Sequence, residues 1–354
     1  MRRRVLFTAG IAAATTAALP GVATASARSA HGRPRRHVVV ADDGSGDVAS
    51  VQAAVDAVPA GNDTPFAILI KPGVYHGQVT VPVDKPLIAF CGLGRDPGDV
   101  IITDDRANGT PKPGGGTWGT SGSASVTISG DDVTARNLTF ANSFDEAGHP
   151  EITNRQAVAV LTRADRLVFE HVRFLANQDT LYVNSPDVAT VSRAYFRGCY
   201  VEGDVDFIFG RGTAVLDRCE IRSLDRGSTT NNGYVTAAST DVGNPYGFLI
   251  AGCRLTGTTL PGTVSLGRPW HPGNDPRASP QTVIRDSHLG AHIAAAPWTD
   301  FGTWPWRDAR YAEFANRGPG AGSGPDRPQL TPEQAATLTR RAYLAGADGW
   351  NPVR

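Results

Sequence analysis

The chain has 354 residues, of which 40 are Gly and 25 Pro, with 40% apolar and 19% charged residues. That composition excludes a disordered polyelectrolyte and a coiled coil, and it implies many short elements joined by turns. Basic and acidic residues number 34 each, for a formal charge of +0, and they are interspersed. No basic stripe exists for a phosphate backbone, so no nucleic-acid role is expected.

The N-terminus reads as an export signal. Met1-Arg2-Arg3-Arg4 precedes an apolar run from Val5 to Leu19 and the small residues Ala23 to Ala27. This order of basic start, apolar core and small-residue cleavage site marks a secretory signal over residues 1–27. A membrane anchor is the alternative, but the core falls short of the ~20 residues needed to span a bilayer. The Arg3-Arg4 pair leaves both twin-arginine and general export open. Removal of residues 1–27 takes three Arg and no acid, leaving 31 basic and 34 acidic residues, a charge of −3. Residues 28–37 read as a flexible segment before a domain spanning 38–354. The protein is expected to be secreted and extracellular, monomeric, and not membrane-bound.

The first regular element is a helix over Val48–Val58, with Asp47 as cap and apolar residues at helical spacing. Short runs rich in Val, Ile, Phe and Leu follow, broken by Gly, Asn and Asp. Runs beginning at Asn137, His171, Cys199, Cys219, Cys253 and Ser287 recur at intervals of 34, 28, 20, 34 and 34 residues. A strand returning every 20–35 residues is the pattern of a solenoid whose coils bury their apolar faces against each other. The fold expected is all-β, a right-handed single-stranded parallel β-helix with short capping helices. A β-sandwich is the alternative, although its strands usually recur faster. The last element is one helix over Pro332–Leu344, with Thr331 as cap and Pro at its first position.

Cys91, Cys199, Cys219 and Cys253 show no zinc-ligand spacing, so no metal is expected. Cys199 and Cys219 lie one short coil apart, which allows either a disulfide or two stacked free thiols.

Four segments carry chemistry: Gln156-Ala-Val-Ala-Val, Gln178-Asp179-Thr-Leu-Tyr182, Asp206-Phe-Ile-Phe209-Gly and Leu266-Gly-Arg268-Pro-Trp270. Asp206 opens an otherwise apolar run, and a buried carboxylate needs a partner or a shifted pKa. Asp179 lies 27 residues earlier, about one coil, and could face it across the stacking distance. Two such carboxylates tend to separate into one ionised and one protonated group, a pairing suited to nucleophile-plus-acid chemistry. Taken singly, each segment also fits a turn or a strand-end contact; the combination is what points to a site.

These motifs resemble the pectin methylesterase (pectinesterase) family. QAVAV, QDTL, DFIFG and LGRPW occur in the family's order, and ADDGSGD, KPGVY, YAEFANRGPGA and DGW look similar too. The resemblance runs from about Val38 to Pro352 and implies a parallel β-helix that de-esterifies methylated homogalacturonan without a cofactor. By position it implies Asp206 as nucleophile, Asp179 as acid/base, Gln156 and Gln178 as oxyanion donors, and Arg268 as the residue that holds Asp206. It further implies Thr120, Tyr182, Phe209, Trp270 and Phe301 as substrate contacts, together with Gln156 and Arg268, and a Cys199–Cys219 disulfide.

Two departures stand out. Gly73-Val-Tyr75-His-Gly77 lacks the family's frequent Glu. The 27-residue interval from Asp179 to Asp206 is long for the family, which implies a longer loop around Pro186–Arg193 beside the groove. Rival readings are a lyase or polygalacturonase on the same solenoid and a β-helical carbohydrate binder without activity. A serine esterase is disfavoured because no G-x-S-x-G occurs.

Overall fold

The computed structural model describes residues 36–353. The expected signal at 1–27 and the flexible segment lie outside the described residues, except that His37 opens the first strand, His37–Val40.

Every pairing between the strands described is parallel, and the strands form three faces of a β-helix, right-handed as parallel crossovers are. One face runs from His37–Val40 through Phe66–Ile70, Ile88–Gly92, Thr134–Asn142 and Leu167–Leu175 to Arg310–Phe314. The second shares the nine-residue strands Thr134–Asn142 and Leu167–Leu175 and continues through Tyr200–Gly203 and Glu220–Ser223. The third, which carries the site described below, runs Val79–Val81, Val126–Ile128, Val160–Thr162, Leu181–Val183, Val205–Gly210, Gly233–Ala238 and Val264–Gly267.

Register makes the core a set of columns. Val38, Ile68, Phe90, Ala135, Phe169, Phe196, Leu216, Ile250 and Ile284 are Cα partners in successive coils, and all are buried. Phe169 and Phe196 stack at 4.8 Å with their planes 5° apart. The column ends on Glu313, whose carboxylate is 1% exposed and is held by Arg327 at 2.8 Å. A buried charge at the end of an apolar stack is tolerable only because it is paired.

At one corner, successive coils turn on a left-handed residue: Asn137, His171, Gly198, Arg218, Gly252 and Asp286 have φ between 52° and 68°. Cα pairing equates Val172 with Leu138 and Arg173 with Tyr200, so His171 matches Gly198 and the coil interval there is 27, not 28.

Cys199, Cys219 and Cys253 follow that turn in successive coils, as the 20-residue spacing implied, but all four cysteines are free thiols. The expected Cys199–Cys219 disulfide is not formed. Equivalent positions in parallel coils have Cβ vectors side by side, about one coil spacing apart, beyond the ~3.8 Å a disulfide prefers. The thiols instead meet backbone groups: Cys219 Sγ faces the Phe196 carbonyl at 3.5 Å and Cys253 Sγ accepts from Cys219 N–H at 3.3 Å. Burial pushes the Cys219 and Cys253 thiols well above their ordinary range, so they are poor nucleophiles.

Both expected helices are shorter than their patterns. The first is Val51–Ala57, capped by Ser50 Oγ accepting from Ala53 N–H at 3.2 Å; Asp47 instead accepts from Val39 N–H at 3.0 Å. The C-terminal stretch splits into Pro332–Thr337 and Arg340–Ala345 because Thr339 Oγ1 caps the second helix at Ala342 N–H. Tyr343 and Leu344 cover the outer face of the first sheet at Tyr195, Val215 and Leu249.

Replacing Phe196 by Ala should destabilise the chain by about 3–5 kcal/mol, seen as a lower denaturant midpoint. Reducing agent should leave that midpoint unchanged.

Candidate active site

Asp179 precedes strand Leu181–Val183 and Asp206 lies in strand Val205–Gly210; Leu181 pairs with Ile208. The two aspartates therefore hold the same position in successive coils, about 4.8 Å apart along the axis. Both adopt left-handed backbone, with φ 68° at Asp179 and 51° at Asp206, a conformation Asp tolerates better than most residues. At Asp206 the register to the next coil shifts between Val205 and Ile208, a bulge that re-aims the carboxylate. Gly233 in that next coil has φ 141°, and a Cβ there would lie 1.9 Å from the Asp204 carbonyl, so only glycine allows this close approach.

Arg268 holds Asp206 with two parallel hydrogen bonds, Nε to Oδ1 at 2.8 Å and Nη2 to Oδ2 at 2.7 Å. Its guanidinium is sandwiched between the rings of Tyr234 and Phe301, 3.9 and 4.3 Å from their centroids. The fork fixes the orientation of Asp206, and the aromatic faces fix that of Arg268. Tyr234 was not anticipated. Its signal was positional: it pairs with Val205, one coil before.

Both carboxylates are 7% exposed. Burial raises Asp179 well above the usual carboxylate range, and the neighbouring Asp206 charge adds to the rise. Burial also raises Asp206, but the bonded Arg268 pulls it back. The pair therefore separates, with Asp179 the proton holder and Asp206 the anion.

A third buried acid escaped the sequence reading. Asp204 is pushed up to about 6, mainly by burial, while a 2.6 Å hydrogen bond from Val205 N–H works against the rise. Its charge adds to the rise at Asp179.

The remaining expected residues gather around this pair. A cleft of about 370 Å³ is lined by Thr120, Gln156, Gln178, Asp179, Tyr182, Asp206, Phe209, Arg268, Trp270 and Phe301, the whole expected set, together with Ser121 and Ala237. Gln156 turns a buried Oε1 inward with no hydrogen-bond partner among the described residues. Tyr182 and Phe209 stack at 4.1 Å, and Trp270 stands edge-on to both at 6.0 and 5.5 Å. Thr120 Oγ1 is held by Asn108 Nδ2 at 3.0 Å. Register equates Phe209 with Ala237, whose small side chain leaves room between the aromatic floor and Arg268. Among the described residues no cluster of three or more His, Cys, Asp or Glu could hold a metal ion.

An open cleft floored by aromatic rings, with two buried carboxylates side by side and a guanidinium clamped to one of them, defines a β-helical enzyme that works on a polysaccharide. The pectinesterase family model matches residues 37–342, and the chain belongs to that family of carboxylic ester hydrolases. It is 38% identical to a pectinesterase of Ralstonia nicotianae over 82% of this chain and 81% of the relative. It is 34% identical to pectinesterase A of Dickeya chrysanthemi over 96% and 98%. A pectin methylesterase mutant solved in complex with a hexasaccharide superposes with a TM-score of 0.80 at 32% identity, covering 89% of this chain and 98% of that one.

Substituting Arg268 by Gln removes the cation that lowers Asp206. With the ion pair gone the Asp206 carboxyl should take up its proton at a higher pH, and the acid limb of the kcat/KM profile should move the same way, with kcat/KM down about 10²–10³-fold at its maximum.

Proposed function

We propose that this chain hydrolyses galacturonate methyl esters in pectin to pectate and methanol, with Asp206 as nucleophile and Asp179 as acid/base. The observation that carries the reading is the bidentate Arg268 clamp on Asp206 beside an Asp179 whose burial keeps it protonated.

The ester carbonyl carbon sits above Asp206, whose oxygens each keep a lone pair beyond the one given to Arg268. Attack forms a C–O bond and places negative charge on the carbonyl oxygen. The side-chain amides of Gln156 and Gln178 donate to it as neutral groups that leave the carboxylate ionised. Collapse expels the methoxy group, which takes the Asp179 proton and leaves as methanol. An Asp206–galacturonate anhydride remains. Asp179, now ionised, takes a proton from water, whose hydroxyl attacks the galacturonate carbonyl. The anhydride opens, Asp206 returns as carboxylate, and Asp179 holds a proton again.

Tyr182, Phe209 and Trp270 supply faces for sugar rings, and Thr120 and Phe301 lie at the rim of the same cleft. The reading carries with it a chain that acts as a monomer and is exported, the export supported by the basic start, the apolar run Val5–Leu19 and the small residues that follow. No helix among the described residues is long and apolar enough to cross a membrane.

With highly methylated pectin and chelated calcium, the protein should release methanol, and Asp206→Asn should release none. Ultraviolet-absorbing products or shortened chains without methanol would overturn the reading in favour of a lyase or hydrolase. Asp179→Asn should likewise abolish turnover while raising the thermal midpoint at neutral pH by about 2 °C or more. The sign follows from its raised folded-state pKa: the stability Asp179 contributes is present below its unfolded pKa and is lost as pH rises through the folded one. Asn removes that loss.

A further inference from the structure

A second cavity, of about 280 Å³, adjoins the cleft through Gln178, which lines both. Asp204 lines it together with Glu146, Thr153, Arg155 and Arg226. The backbone fixes Asp204 beside Asp179. Asp204 N–H donates to the Asn177 carbonyl at 3.1 Å, and Asp179 N–H donates to the Val205 carbonyl at 3.0 Å. The two acids therefore belong to adjacent coils, about one stacking distance apart along the axis.

Asp204 is buried, yet among the described residues no side chain hydrogen-bonds to it. Its carboxylate accepts only from the N–H of the next residue, Val205, at 2.6 Å. The cation beside it, Arg226, is half-exposed and keeps its Nε 3.8 Å away. Asp217 and Glu313, acids buried elsewhere in the coils, are instead gripped by Arg340 at 2.7 Å and Arg327 at 2.8 Å. An Asn could accept the Val205 bond equally well, so packing does not call for a charge here, and burying one is unfavourable. The charged groups around Asp204 are Arg226, Arg155, Glu146 and Asp179, with Asp206 two residues along its own strand. Arg155 is drawn to Glu146 at 3.7 Å, and Arg268 is committed to Asp206. The weakly compensated charge of Asp204 therefore acts on Asp179.

We propose that Asp204 is a positioning residue for the acid step, its charge holding the proton on Asp179 so that the leaving methoxide can still be protonated at higher pH. This rests on the esterase reading above. A negative charge one coil away opposes ionisation of Asp179, because that would set a second anion beside the first where little water screens them. Asp206 does this less well, since Arg268 offsets its charge through two hydrogen bonds. Asp204 has no such clamp. Burial pushes it up to about 6, so its charge is in place above that pH, where keeping a proton on a carboxyl becomes harder.

The test is the pH profile of kcat/KM for methanol release by wild type, Asp204→Asn and Asp204→Glu. The Asp179 carboxyl is titrated separately by carboxyl-carbon NMR of aspartate-labelled protein, its resonance being the one lost in Asp179→Asn. Asp204→Asn should move the basic limb down by about one pH unit and leave the acid limb, which follows Asp206, in place. The NMR midpoint of Asp179 should fall by a similar amount. Asp204→Glu, which keeps the charge, should return both towards wild type. The shift should persist at high salt, since the charge is buried. A basic limb and an Asp179 midpoint that stay in place in Asp204→Asn overturn the proposal. So does a loss of kcat/KM that is equal at every pH, the sign of a merely structural role. The NMR arm needs no turnover. A wild type that releases no methanol rejects the esterase reading, while an Asp179 midpoint that still falls in Asp204→Asn keeps the coupling between the two acids.

Discussion

One constraint underlies this molecule: each coil's backbone N–H groups must meet the carbonyls of the next, about 4.8 Å along the axis. The chain therefore returns to the same lateral position once per coil, and like positions stack. The apolar column from Val38 to Ile284, the turn residues with positive φ and the free thiols Cys199, Cys219 and Cys253 are all products of that return. So is the active site. Asp179 and Asp206 are one position met twice, and Tyr182, Phe209, Ala237 and Arg268 are another met four times. Stacking brings like charges together, which elsewhere would be a fault of design. Here Arg268 offsets one charge and burial keeps a proton on the other.

Most of this was legible in the sequence because a solenoid turns distance along the chain into distance in space. The 27-residue separation of the two aspartates is one coil, and DFIFG with LGRPW carries Asp206 and the arginine that clamps it. What escaped shows where that translation fails. A one-residue error at His171 arose because a Cys was aligned with the polar residues that start other runs, whereas the shared feature is left-handed backbone, filled there by Gly198. Cys199 and Cys219 stack as free thiols because equal register keeps their Cβ atoms about one coil spacing apart, wider than a disulfide prefers. The C-terminal helix pattern hid a second cap, since Thr339 reads as an ordinary helical residue until its hydroxyl turns to Ala342. Asp204 and Tyr234 went unremarked because each gains its meaning from the adjacent coil across the bulge at Asp206.

That bulge carries much of the site. A regular strand would alternate Asp206 strictly in or out, and the inner option would leave a carboxylate among Phe207, Ile208 and the core. The extra residue and the positive φ turn the carboxylate to the cleft while Phe207 stays fully buried. The strain of a left-handed Asp is held by its surroundings: Gly233 admits the neighbouring backbone, and the Asp204 carbonyl accepts Tyr234 N–H at 3.0 Å. Rigidity at Asp206 thus comes from the next coil, not from the strand that carries it.

The same electrostatics govern what happens as the reaction proceeds. Every ester hydrolysed adds a negative charge to the polymer lying over a floor that already holds Asp179, Asp204 and Asp206. Were all three ionised, Arg268 alone in contact with the pair could not balance them, and the product chain would be repelled from the cleft. In the proposed mechanism the proton that burial keeps on Asp179 therefore serves two ends: it is the one given to the leaving methoxide, and its presence lowers the charge of the floor beneath an increasingly anionic chain. A second guanidinium placed at Asp179 would draw off that proton, so the pair carries its one cation at Asp206.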